Sequence, residues 1–108
     1  MAILEMPITE LQNAYTDLEN SATEVNDIIS EKQAKGLKVN ESEYRKLAQI
    51  SRAQIDNLQK QNKEYESQLK YAKAFGLTQD EIAEKRNQIA SNQSTISGLN
   101  IDALEFDK

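Results

Sequence analysis

Apolar residues along the first third of this chain recur in alternating steps of three and four: Ile8, Leu11, Tyr15, Leu18, Ala22, Val25 and Ile29. That rhythm puts all of them on one stripe of an α-helix for about three heptads. Pro7 has no amide hydrogen to donate inside a helix, so the spacing predicts a start near Thr9, with Thr9 and Gln12 as a capping box. Gly36 is the expected left-handed stop, giving a first helix over about 9–35.

The same rhythm returns at Tyr44, Ala48, Ser51, Ile55, Leu58, Asn62, Tyr65, Leu69 and Ala72. Asn40 is placed to cap this second helix, with Glu43 reaching back to it, and Gly76 to end it, which gives about 40–75. A third helix is expected over about 78–97, capped by Thr78 with Glu81 and ended by Gly98. Its stripe is Ile82, Ile89, Ile96 and Leu99, interrupted by Lys85 and Asn92, so it should pack least well. Two apolar tails, 1–8 and 100–108, flank the helical region.

At 1.5 Å per residue the three helices would measure about 40, 54 and 30 Å. Short connections force neighbours to run antiparallel. The first helix is then expected to cover one end of the second, and the third helix the other. The predicted fold is all-α: one domain over 1–108, an elongated antiparallel three-helix hairpin or bundle with coiled-coil-like packing.

Composition narrows the picture. Gly (3) and Pro (1) are scarce, and aromatic residues make up only 6% of the 108. Burial must therefore come from narrow helical stripes, and a chain of this size gains from a partner. Cysteine and histidine are both missing, which removes disulfides, Cys-His and Ser-His nucleophiles and the usual zinc ligands. The reading is of no catalytic residue, no metal site and no cofactor. A net charge of −5 opposes nucleic acid and anionic membrane surfaces. No signal peptide or transmembrane segment is expected, which favours the cytoplasm or a virion without fixing the location.

Charge also bears on packing. From Thr9 to Lys35 six acids meet two bases, while from Asn40 to Phe75 five acids meet seven bases. The first two helices are therefore expected to lie side by side with opposite charges facing. Carboxylate pairs such as Glu64 with Glu66, and the group Asp102, Glu105 and Asp107, read as solvated surface. Basic residues of the second helix lack the aromatic platform of a nucleic-acid site.

Two groups of residues carry the expected contacts. The helix seam comprises Leu11, Tyr15, Leu18, Val25 and Ile29, then Tyr44, Ile55, Leu58, Tyr65 and Leu69, then Ile82, Ile89 and Ile96. Ser51 and Asn62 are polar intruders that either set register or face solvent. The terminal residues Ile3, Leu4, Met6, Ile101, Leu104 and Phe106 either fold back on the bundle or dock on another subunit.

The Gln-, Asn- and Lys-rich heptads from Glu43 to Lys70 and the stretch from Gly76 to Leu99 resemble helical coiled-coil segments of phage tail and other virion structural proteins, including tape-measure proteins. This resemblance is one of texture, without a diagnostic motif. It implies a non-enzymatic structural or assembly role, with other protein subunits as partners in a homo-oligomer or larger assembly. The size, acidity and helical hairpin are also similar to small secreted Trp-Xaa-Gly hairpin proteins, which implies instead a secretion-associated binding partner or chaperone. There the turn Lys35-Gly36-Leu37 departs by lacking the Trp.

Overall fold

The computed structural model describes residues 2–106, and the side chains of 8–103. The described backbone is helical apart from two corners and a hitch: α1 (Ala2–Ala34), α2 (Glu41–Lys70), a single turn α3 (Ala72–Phe75) and α4 (Gln79–Phe106). An all-α helical bundle is thus what the heptad rhythm specified. The boundaries differ in informative places.

Both corners close in the same way. Gly36 and Gly76 take φ of +69° and +71°. Leu37 N–H bonds the Lys32 carbonyl at 2.8 Å and Gly36 N–H that of Gln33 at 3.1 Å. The second corner repeats the pattern, Leu77 to Ala72 at 3.0 Å and Gly76 to Lys73 at 3.2 Å. These are Schellman caps, which satisfy carbonyls left over at a helix end and need a residue without a Cβ penalty at positive φ. A Cβ at either glycine would meet open space, so any side chain there costs only the left-handed backbone, about 1–2 kcal/mol.

The helix starts divide. At α4 the capping box forms in full, with Thr78 N–H donating to Glu81 Oε1 at 3.0 Å and Glu81 N–H to Thr78 Oγ1 at 3.1 Å. The Thr78 backbone N–H first, and then the Thr78 side chain, hold the Glu81 carboxyl below its usual range. Because the folded-state value is depressed, this support is present above the ordinary carboxylate range and is lost as pH falls through the depressed value. Amide protection at the first turn of α4, taken relative to the intrinsic exchange rate at each pH, should therefore fall on acidification. Glu81→Gln, which can still bond but cannot titrate, should abolish that pH dependence; an unchanged profile in the variant would refute the assignment. At α2, Asn40 makes no side-chain cap bond. Glu43 pairs instead with Lys32 Nζ across the corner, tying α1 to α2.

Three expectations about extent need correction. The first helix begins at Ala2 rather than near Thr9, so Pro7 lies inside α1. There it forfeits one backbone bond, to the Ile3 carbonyl, close to an end where the first amides have no partner anyway. Gly98 does not end the last helix, which continues to Phe106. The burial stripe Ile82, Ile89, Ile96 reaches on to Ala103, which is buried, and that contact outweighs glycine's intrinsic penalty of about 1 kcal/mol. The segments 2–8 and 100–106 are accordingly parts of α1 and α4 and not separate tails.

α2 is the central helix. α1 and α4 each pack against it, α4 the more extensively, so the interrupted stripe of the last helix did not make it the weak packer. Nor do α1 and α4 divide α2 between its two ends. Lys32 meets Glu43, and Gln12 meets Tyr65, so α1 follows α2 antiparallel over most of its length. On the other flank Lys85 Nζ lies 6.0 Å from the Tyr65 ring centre and Asn92 meets Asn62, so α4 is antiparallel to α2 as well. The resulting rod measures 59 × 23 × 18 Å. Its radius of gyration is 17.4 Å, against about 13 Å for a compact chain of this length.

Candidate functional site

The features with functional content lie where α2 meets its two neighbours. α2 buries Leu47, Ala48, Leu58 and Tyr65, but also Glu43, Ser51, Gln54, Asn57, Gln61, Asn62 and Gln68. Most of what this helix buries is polar. A helix flanked by one neighbour hides a single seam. α2 is flanked by two, and hides a wider arc that takes in positions outside the apolar heptad.

Amides in that arc are bonded both across the helix boundaries and along their own helix. Asn57 Nδ2 donates to the Leu11 carbonyl of α1 at 3.0 Å and accepts from Gln61 Nε2 at 2.7 Å. Asn92 Nδ2 of α4 donates to Asn62 Oδ1 at 2.9 Å, and Asn92 Oδ1 accepts from Gln88 at 3.2 Å. Gln12 Nε2 reaches the Tyr65 hydroxyl at 3.4 Å. Three of these five bonds, Asn57 to Leu11, Asn92 to Asn62 and Gln12 to Tyr65, join one helix to the next, so sliding either neighbour by a turn would strand a buried amide. Leaving such a group unpaired costs about 1–3 kcal/mol. The network thus selects register more than it adds stability.

α1 and α4 meet α2 but leave an open groove between them, about 470 Å³, floored by Leu58 and Gln61 and walled by Tyr15, Thr16 and Glu19 on one side and Gln88, Ser91 and Thr95 on the other. It continues toward the α2 C-terminus as a recess of about 240 Å³ beside Tyr65, Gln68 and Glu84. Its lining is mostly hydroxyl and amide, with the charged Glu19, Glu81, Glu84 and Lys85 and the apolar Leu58 and Ile8 among them. Burial raises the Tyr15 hydroxyl, with Glu19 adding to the effect. Burial also raises Tyr65, which Glu84 pushes further up and the Gln12 bond opposes. With Glu81 lowered, all three shifts move their groups away from neutral pH. None is thereby tuned for proton transfer near pH 7.

Comparison with known proteins finds no family model, no curated relative and no solved structure that matches this chain. Its function must therefore be argued from its own surfaces. Among the described residues no group of three or more His, Cys, Asp or Glu could hold a metal ion, and no helix is long and apolar enough to cross a membrane.

The structure distributes the expected seam residues as follows. Ile29, Leu58 and Tyr65 are buried. Leu11, Tyr15, Leu18, Val25, Tyr44, Ile55, Leu69, Ile82, Ile89 and Ile96 are half-buried. Ser51 and Asn62 are buried too, Asn62 against α4 and not facing water. Of the expected contact residues, Ile101 is 60% exposed, and the side chains of Ile3, Leu4, Met6, Leu104 and Phe106 lie outside those described.

Sequence reasoning missed the second seam of α2: Leu47, Gln54, Asn57, Gln61 and Gln68. It also missed a repeat within α1, Thr9-Glu10-Leu11, Thr16-Asp17-Leu18, Thr23-Glu24-Val25 and Ser30-Glu31-Lys32, each seven residues after the last. The signal was present in both cases. Buried amides in α2 recur at Asn57 and Gln61 and again at Gln54 and Gln61, at helical spacing. Four acids of α1, Glu10, Asp17, Glu24 and Glu31, keep strict heptad phase.

Proposed function

We propose that this chain is a non-enzymatic structural or assembly protein that acts through helix–helix contacts as a coiled-coil-like subunit of a phage-like or other multi-subunit particle. The observation that carries this reading is its surface. The chain exposes 7511 Å², whereas a compact protein of 12.2 kDa exposes about 6,100 Å². The difference is of the size that a stable protein–protein interface removes from water, about 1,200–2,000 Å². No large side chain is fully buried in the described part of the isolated chain. A rod with an amide-rich seam suits a spacer whose register matters, and its remaining burial comes from neighbours.

A second reading is a binding module that presents a helix face to one partner, and the open groove between α1 and α4 favours it. Sedimentation equilibrium from about 1 µM to 1 mM separates the two. Assembly requires an average mass that climbs above 12.2 kDa with concentration. A strictly monomeric chain that captures one partner in a one-to-one complex from native extract would support the binding module and overturn the assembly reading.

A further inference from the structure

The opposite charges of the first two helices were expected to face each other across the hairpin, and the structure does not use them that way. The ion pair that crosses from α1 to α2 has the reverse polarity, with the base Lys32 on α1 and the acid Glu43 on α2. The rest of the described hydrogen bonding between these helices runs through Asn57, Gln12 and Tyr65, which are uncharged. The helices' characteristic charges point to water.

On α1, Glu10, Asp17, Glu24 and Glu31 are all exposed and recur every seven residues. Seven residues advance a helix by about 10.5 Å and return to within about 20° of the starting direction. The four carboxylates therefore form one row about 31 Å long. On α2, Arg45, Arg52, Lys63 and Lys70 are exposed at steps of seven, eleven and seven. Eleven residues also close to within about 20°, so these cations form a second row about 37 Å long, interrupted once by Asp56, which pairs with Lys60 of the same helix at 3.0 Å. It lies opposite the arc that α2 buries. The described ion pairs of these rows stay on their own helices, Lys35 with Glu31 and Arg45 with Glu41, and are solvent-exposed and exchangeable.

We propose that the acidic row of α1 docks on the basic row of α2 of a second copy of this chain. The argument is complementarity of charge and of length: four acids on α1 oppose four bases on α2 over about the same span. Pairing α1 with α1, or α2 with α2, would set like charges together. The two rows lie on different outward faces, so each copy offers both a donor and an acceptor face. The contact is heterologous and propagates unless its rotation closes a ring. Net repulsion between chains of charge −5 is screened beyond about 10 Å at 0.1 M salt, whereas rows in contact are screened much less.

This inference rests on the assembly reading, and a pair of charge-reversed full-length variants tests the two separately. One carries Arg45→Glu and Lys63→Glu, the other Asp17→Lys and Glu24→Lys. All four positions are exposed, so each variant should keep the helical circular dichroism spectrum of the natural chain, which is measured first. Arg52, which already has an interaction within the chain, is left unchanged. In sedimentation velocity at low salt the natural chain should self-associate, at least tenfold more weakly at 0.5 M salt. Each variant alone should be monomeric, and an equimolar mixture should associate again, because the first variant keeps its acidic α1 row and the second keeps the basic α2 row that accepts it. If both variants self-associate as the natural chain does, or the mixture stays monomeric while the natural chain associates, this docking surface is wrong and the assembly reading stands. A natural chain that is monomeric under every condition overturns both.

Discussion

Leu58→Asp should abolish cooperative folding of the isolated chain. Leu58 is 4% exposed and forms the floor on which both neighbours of α2 converge. A carboxylate there would have no cation among the groove's neutral lining on α2, so it would either ionise without a partner or hold its proton above pH 7. An uncompensated buried charge costs about 3–5 kcal/mol. A domain of this size has about 5–10 kcal/mol in total, and this one has few buried apolar side chains from which to draw it. The expected result is a loss of the thermal transition, with helicity at 222 nm reduced at 25 °C. Leu58→Ala is the graded control and should cost about 2–3 kcal/mol, less than in a closed core because water can enter from the groove. A Leu58→Asp variant that melts like the natural chain would mean that α2 is wrongly phased.

The second large effect concerns the buried amide pair that joins α2 to α4. Asn92→Leu leaves Asn62 buried beside an apolar group and should destabilise by about 2 kcal/mol. Asn62→Leu should behave in the same way. The double substitution removes both polar groups at once and should recover most of the loss, or exceed the natural stability, because two leucines bury more apolar surface than two amides. Denaturant titration of the four proteins closes the cycle, with an expected coupling of about 1–3 kcal/mol. What the double variant loses is selectivity: without the amide bond, α4 can slide along α2 by a turn, and its cross-linking pattern should broaden. Strictly additive losses would show that the two side chains act independently.

Much of this architecture was legible in the chain because local rules and tertiary contacts agree. The heptad rhythm of Leu11 to Ile29 and of Tyr44 to Leu69 specified two helices, and Gly36 and Gly76 specified their corners, because only glycine accepts that backbone without penalty. Thr78 with Glu81 announced the start of α4. The readings that failed rested on local preference where tertiary contact outweighs it. Pro7 and Gly98 each discourage helix by a kcal/mol or a few, and continuing helix on either side carries both. Asn40 and Glu43 form a sound capping pattern, yet Lys32 arrives from across the corner and takes the carboxylate.

Helix type, corner position and the absence of thiol and imidazole chemistry follow from residue identity and spacing alone, because a heptad repeats within a single helix and a glycine turn needs no partner. Which faces are buried does not follow from them. A helix's second seam exists only once a second neighbour lies against it, so Gln54, Asn57, Gln61 and Gln68 look like surface until α1 and α4 both run the length of α2. The same holds for charge. An acidic helix and a basic helix are evident from composition, but only the packed rod places amides at their contact and turns the charged rows outward.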